Sequence, residues 1–327
     1  MKKILLTEPM DPAGPDLVKG RGDIELIVAP DTSVPTLREL ARDVHAMGVR
    51  VSPIPKEVLE VAADLQVVSR HGVGCDNVDV AHLTGRGIPV AIAAGANAAS
   101  VAEHTLMLML AATRGLMRQD RATREGRFSQ RDGLVGGDLE GAEVLIVGFG
   151  RVGRQVARRC VAFGMNVTVA DIALDAGLAR EMGCTGIADF RDALPQADFL
   201  SLHVPLDEAT RHLVGESEFA RMKPRSILIN CARGGVVDEA ALVRALDAGT
   251  VACAGVDVFD PEPPAADHPF FGRADMILTP HTGAASRGSM REMSRMTVQN
   301  ILDCFDGRLR SDCIFNAAEL AAQKKAT

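Results

Sequence analysis

The chain has 327 residues, 47% of them hydrophobic, enough for two domains at roughly 150 residues each. A formal net charge of −7, no Trp, no Tyr and no basic run argue against nucleic-acid binding, which asks for a positive surface and, on single strands, aromatic stacking platforms. The seven cysteines show no C-x-x-C spacing, and no apolar run reaches the roughly 18 residues of a membrane span, so disulfide, zinc and membrane classes are set aside. The N-terminal MKKILLTEPM has an apolar run too short for a signal peptide, and the expected setting is a reducing, cytoplasmic one.

Short aliphatic runs alternate with helical patterns along almost the whole chain, the arrangement of parallel sheets covered by helices. KILLTE, IELIVA, AMGVRV, LQVVSRHG and GIPVAIAA read as five strands, with helices starting at TLREL and PKEVLEVA. SVAEHTLMLMLAATRG (100–115) reads as a helix joining two α/β domains, with Ser100 as its cap and Glu103 at capping-box spacing. Its Met107–Leu110 stretch is apolar nearly all round, which fits a buried or dimer-facing helix. EVLIVG, NVTVAD, DFLSLHV, SILINCA, CAGVDVF and MILTPH then read as a second series of strands.

The second series opens with EVLIVGFGRVGRQVARR, a strand followed by Gly148-x-Gly150-x-x-Gly153 and a helix. Glycines at these positions permit a tight turn, a close approach to a pyrophosphate and tight helix–strand packing, with the phosphate on the helix N-terminus. The next strand ends in Asp171, near the spacing of about 20 residues at which an acid binds the ribose hydroxyls. A carboxylate there repels a 2′-phosphate, and Ile172 offers no compensating cation, so NAD is expected over NADP.

Later strands also end in polar groups: Arg233 after SILIN, Asp257 and Glu262 after AGV, His281 after MILTP. Ligands of open parallel sheets bind beyond these carboxyl ends. An arginine fork binds carboxylates, a histidine carries a proton near neutrality, and a neighbouring carboxylate favours its charged form. With a hydride carrier, the set suits reduction of a 2-keto acid. Read without the glycine loop, Cys231, His281 and Glu262 could instead form a cysteine hydrolase site. His104 reads as a packing or interface residue, and His203 as structural.

SRHGVGCDNVD (69–79), VGFGRVGRQVA (147–157), LHVPLDEATRHLVG (202–215), NCARGGVVDE (230–239), GVDVFDPEPP (255–264) and TPHTGAAS (279–286) occur in one order. Over nearly its whole length the chain resembles the D-2-hydroxyacid dehydrogenases, and most closely their D-3-phosphoglycerate dehydrogenase branch. The resemblance implies two doubly wound α/β domains, a Rossmann NAD-binding domain (101–295) inserted into a flavodoxin-like substrate domain (1–100 plus 296–327). It implies Arg233, Glu262 and His281 as catalytic residues. For the cofactor it implies Gly148, Gly150, Arg151, Val152, Gly153, Asp171, Val204, Pro205, Cys231, Ala232, Asp257 and Gly283, with Asp257 holding the nicotinamide amide. His71, Gly72, Val73 and Gly74 would receive the substrate carboxylate, next to Arg70. Arg50 would meet a second anionic group, making 3-phosphoglycerate/3-phosphohydroxypyruvate the first expectation and a hydroxypyruvate, glyoxylate or sulfolactate substrate the alternative. The resemblance favours a homodimer, with no metal.

The chain departs from that family in two places. Phe128 stands where the family usually has tryptophan, followed by a glycine-rich stretch, and the sequence leaves no room after residue 327 for a C-terminal regulatory domain, so serine feedback through one is not expected. A non-catalytic, NAD-sensing interaction protein related to corepressors is the rival reading, because such relatives retain the same fold and the same three residues.

Overall fold

A computed structural model of the protein describes residues 1–326. It divides into two units, residues 1–97 together with the segment from Ala285 onward, and residues 98–284.

In the first unit, β1 (Lys2–Leu6), β2 (Ile24–Val28), β3 (Ala46–Val49), β4 (Val67–Arg70) and β5 (Val90–Ile92) form a parallel sheet in the order β2-β1-β3-β4-β5. This is the flavodoxin-like order. Side chains alternate across the sheet, as the strand period of two requires. Leu5, Met47 and Val68 face α1 (Val34–Ala41), α2 (Lys56–Leu59) and α3 (Val80–Gly85), where they meet Leu37, Val58, Leu59 and Leu83. Ile4, Leu6, Ala46, Val67 and Ala91 face the other way.

In the second unit, α4 (Ala98–Arg114) and α5 (Leu116–Arg124) precede β6 (Glu143–Val147), α6 (Arg151–Ala162), β7 (Asn166–Ala170), α7 (Ala176–Glu181) and β8 (Thr185–Ile187). There follow β9 (Phe199–Leu202), α8 (Glu216–Arg221), β10 (Ser226–Asn230), α9 (Glu239–Asp247), β11 (Val251–Val256) and β12 (Met276–Leu278). All strands are parallel, in the order β12-β11-β10-β9-β6-β7-β8, which is the Rossmann order extended by one strand. Val144, Ile146, Val167 and Ile229 bury against α4 and α6, whereas Leu145, Leu200, Leu202 and Leu228 bury against α8 and α9. β8 is absent from the sequence-based assignment because Thr-Gly-Ile at a sheet edge is short and largely exposed.

The chain then returns to the first unit as α10 (Arg287–Phe305) and α11 (Ala317–Ala326). Val298, Ile301 and Leu302 of α10 close the face offered by Ile4 and Leu6, each burial worth roughly 1.5–3 kcal/mol. This corrects the expected boundary between 295 and 296. α10 is one continuous helix capped by Ser286, whose hydroxyl accepts from Ser289 N, so residues 285–295 belong with the unit that the rest of the helix covers. Ser100 is likewise not a cap, since α4 begins two residues earlier. Among the described residues no helix is long and apolar enough to cross a membrane.

Candidate active site

The loop after β6 has the steric signature of a nucleotide cradle. Gly148 has φ 97°, in the left-handed region that disfavours any other residue, and a Cβ there would lie 2.4 Å from His203 O. A Cβ on Gly153 would lie 1.9 Å from Gly148 O, so the helix approaches the loop only with glycine at this position. A Cβ on Gly150, by contrast, meets nothing within 4 Å, leaving open space at the N-terminus of α6, which no side chain caps. Asp171 at the end of β7 accepts hydrogen bonds from Phe149 N (2.7 Å) and Ala173 N (2.9 Å), tying the loop to the neighbouring strand. Ile172 is fully exposed beside it. These residues fit a dinucleotide with unphosphorylated ribose.

The remaining strands of this sheet deliver the expected side chains from their carboxyl ends. Asn230, buried at the end of β10, accepts from Ala232 N (3.0 Å) and donates to Arg233 O (2.8 Å), fixing the turn that presents Arg233. Beyond β11, Glu262 accepts from Phe259 N through Oε1 (2.9 Å) and from His281 Nδ1 through Oε2 (2.7 Å). The Nδ1–H of His281 is thereby committed, and Nε2 is the nitrogen left to exchange a proton. The hydrogen bond to Glu262 raises the His281 pKa above its ordinary value against the opposing effects of burial and of the Arg233 charge. Arg233 thus acts on the pair through its field, while its Nη1 donates to Ala232 O (2.7 Å).

Cys231, Ala232, Val204 and Pro205 lie on the loops after β10 and β9, at the same sheet end. Burial pushes the Cys231 thiol up to about 12, which removes the thiolate that a cysteine hydrolase requires. His203 is structural, as expected: its Nε2 pairs with Ser201 Oγ (2.8 Å), and burial pushes its pKa down to about 3.

Asp257, 1% exposed, accepts from Thr279 Oγ1 (2.6 Å) and Thr282 N (2.9 Å) through Oδ1 and from Gly283 N (2.8 Å) through Oδ2. Burial alone would raise its pKa, but the nearby His104 ring and the hydrogen bonds from Thr279 and the two amides hold it below the ordinary carboxylate range. His104 is therefore more than packing: its Nε2 lies 2.9 Å from Thr279 Oγ1 and 3.4 Å from Asp257 Oδ1. Ser100 Oγ donates to Gly283 O (2.8 Å). The available signal is spacing, since residues 100 and 104 fall one turn apart on one helix face.

In the first unit, Arg70 binds main chain. Its Nε donates to Gly74 O (2.7 Å), and Nη1 donates to Val49 O (2.9 Å) and to Arg50 O. Asn77 Nδ2 donates to Val51 O (3.1 Å) and Ser52 O (3.0 Å), and Glu8 Oε2 accepts from Val51 N (2.8 Å) and Ser52 N (3.2 Å). With the backbone clamped, the N–H groups of Gly72, Val73 and Gly74 donate to no other group among the described residues. His71 is buried, its N–H donating to Val49 O (2.8 Å). Arg50 forms no ion pair among the described residues, its Nη1 lying 3.4 Å from Pro9 O.

The carboxyl ends of this Rossmann-ordered sheet thus carry a hydrogen-bonded His281–Glu262 pair and a glycine loop shaped for a nucleotide, and similarity to known proteins gives the family. Residues 106–283 match the model of the D-isomer specific 2-hydroxyacid dehydrogenase, NAD binding domain, and the chain belongs to that family. It is 36% identical to D-3-phosphoglycerate dehydrogenase of Methanocaldococcus jannaschii over 96% of this chain and 59% of that protein. It is 34% identical to glyoxylate reductase of Thermococcus litoralis over 94% of this chain and 95% of that one. The D-lactate dehydrogenase of Aquifex aeolicus, solved with NAD and lactic acid, superposes with a TM-score of 0.82 at 28% identity, covering 94% and 96% of the two chains. The chain thus spans little more than half the length of the phosphoglycerate dehydrogenases it matches.

Proposed function

We propose that the protein is an NAD-dependent oxidoreductase that interconverts a D-2-hydroxy acid and its 2-keto acid, with Arg233, Glu262 and His281 as its catalytic residues. The observation that carries this reading is the 2.7 Å His281–Glu262 hydrogen bond at the carboxyl end of a sheet whose first loop is a nucleotide cradle. NADH, when bound, supplies a hydride to the keto carbon. The protein's part is to place the substrate and move the proton. Arg233 binds and polarises the keto acid. His281, its charged form favoured by the hydrogen bond to Glu262, gives its Nε2 proton to the carbonyl oxygen, and in the reverse direction the neutral ring takes that proton back.

We assign the amides of Gly72, Val73 and Gly74 to the substrate carboxylate and Arg50 to a second anionic group, which makes 3-phosphohydroxypyruvate the preferred keto acid. A guanidinium without an ion pair among the described residues supports that choice, as do the relatives named D-3-phosphoglycerate dehydrogenase. Relatives named glyoxylate or hydroxypyruvate reductase favour a substrate with a single anionic group as the second reading. The test is NADH oxidation with 3-phosphohydroxypyruvate, a 3-sulfo analogue, hydroxypyruvate and glyoxylate, repeated with NADPH. Highest kcat/KM for a keto acid bearing a second anionic group, with NADH, is expected. Best turnover on a monoanion overturns the substrate, and no turnover on any keto acid overturns the enzyme in favour of an NAD-sensing interaction protein.

The protein also acts, in this reading, as a cytoplasmic homodimer. The seven cysteines are all free thiols, which suits a reducing compartment. An apolar groove between α4 and α6 exposes Met107, Leu116 and Phe163, a surface that a second copy would cover. A monomeric mass by light scattering at micromolar concentration would remove the dimer.

A further inference from the structure

His281 sits in a conformation that its own residue type resists. Its φ is 52°, in the left-handed region that side chains with a Cβ rarely adopt, so the surrounding structure must hold it there. The bonds that do so converge on Asp257. His281 N donates to Asp257 O (2.8 Å), and the next two peptides donate to the Asp257 carboxylate, Thr282 N to Oδ1 and Gly283 N to Oδ2. The backbone on both sides of the histidine is therefore as well placed as that carboxylate is oriented.

The carboxylate is oriented through α4. Ionised Asp257 only accepts, so the proton in the 2.6 Å contact to Thr279 belongs to the threonine hydroxyl. A hydroxyl has one proton, so toward His104, 2.9 Å away, Thr279 must accept, and His104 must carry hydrogen on Nε2. The chain of donors runs one way, from His104 to Thr279 to Asp257. The ring also lies against the loop: a Cβ on Gly283 would be 3.8 Å from His104 Cγ and Cδ2 and 3.0 Å from Asp257 Oδ2. One turn earlier, Ser100 holds Gly283 from its carbonyl side.

We propose that His104 is a positioning residue for His281, acting through the Thr279 hydroxyl and the Asp257 carboxylate to keep the 279–283 loop in its left-handed turn and the His281 ring on Glu262. This rests on the reading of His281 as the proton donor. Without the Nε2–H donor, Thr279 loses its orientation, the carboxylate is free to rotate away from the two amides, and the ring drifts from Glu262.

The test uses the full chain with His104→Leu, which deletes the donor, His104→Gln, whose amide N–H reaches a similar place, and Thr279→Val, which removes the link at nearly constant shape. His104→Leu and Thr279→Val should each lower kcat by about 10- to 100-fold, since misplacement of a reacting group by about 1 Å costs on that order. KM for the keto acid should change little. The double variant should be no slower than the worse single one, because the residues act in series. His104→Gln should recover most of the loss. A second readout needs neither cofactor nor turnover: NMR titration of the His281 ring in the cofactor-free protein. Its raised pKa should fall toward the ordinary histidine value in His104→Leu and Thr279→Val and stay raised in His104→Gln. An unmoved His281 titration in both deleting variants, equal losses in His104→Leu and His104→Gln, or multiplying losses in the double variant would each overturn the proposal. Should His104→Leu not fold, Thr279→Val carries the same two measurements. If the wild type reduces no 2-keto acid, the proposed function fails, while the titration still decides whether His104 positions His281.

Discussion

At the carboxyl end of the 98–284 sheet the polar contacts are side chains bonded to side chains, Glu262 to His281 and His104 to Thr279 to Asp257. At the corresponding end of the first sheet the pattern is side chain to main chain: Arg70, Asn77 and Glu8 clamp residues 49–52 and Gly74. The difference separates two tasks. A proton donor, the role proposed for His281, needs its ring orientation and pKa set, and a charged side chain hydrogen-bonded to its other nitrogen does both. In the proposed reading a carboxylate receiver needs amides in fixed positions, which side chains committed to the backbone would supply, leaving discrimination between substrates to groups such as Arg50.

That contrast breaks most visibly at the cradle. In Gly153→Ala the new Cβ meets a backbone carbonyl at 1.9 Å, so the cradle must open, and NADH binding followed by fluorescence titration should be lost. Saturable binding at wild-type affinity would show that the loop is not the nucleotide site. His281→Ala should lower kcat for keto-acid reduction by about 10²–10⁴-fold, the usual worth of general acid catalysis, while NADH affinity stays unchanged. A loss confined to NADH affinity would move His281 from proton transfer to cofactor binding.

Smaller effects sharpen the comparison. Arg50→Ala should cost a keto acid bearing a second anionic group about 10- to 150-fold in kcat/KM and a monoanionic one little, because a hydrogen bond to a charged group is worth about 1.5–3 kcal/mol. Equal slowing of both substrates would leave the first unit without a specificity group at Arg50. Asp171→Ala should erase the NADH preference over NADPH by a similar factor at most, and a preference that survives would place cofactor discrimination elsewhere.

What can be read from the sequence follows the same division. The positions of the glycine loop, of Asp171 and of Arg233, Glu262 and His281 at one sheet end are legible because each is announced locally, by a strand, a turn and a residue type that the turn delivers. His104 reads as packing because its meaning lies in Thr279 and Asp257, far along the chain, and neither advertises a partner on α4. Ser100 carries a capping pattern that its true position inside α4 overrides. The boundary near 285 escapes a sequence reading for a related reason: only the burial of Val298, Ile301 and Leu302 on the first sheet shows which unit owns the start of α10. Arg70 stands beside the 71–74 loop in sequence, yet its hydrogen bonds to three carbonyls make it the clamp of that loop.

If Glu262 favours the charged form of His281 as the proposed proton donor, the pH dependence of kcat in Glu262→Gln against wild type shows it most directly. In the wild type, reduction should be flat below the raised His281 pKa and fall as pH climbs through it, while oxidation of the hydroxy acid should rise over the same interval. Removing the Glu262 carboxylate takes away the largest cause of the raised pKa, so in Glu262→Gln both limbs should move to lower pH. Limbs that stay where the wild type has them, or move to higher pH, would contradict the assignment of Glu262 and His281 as a working pair.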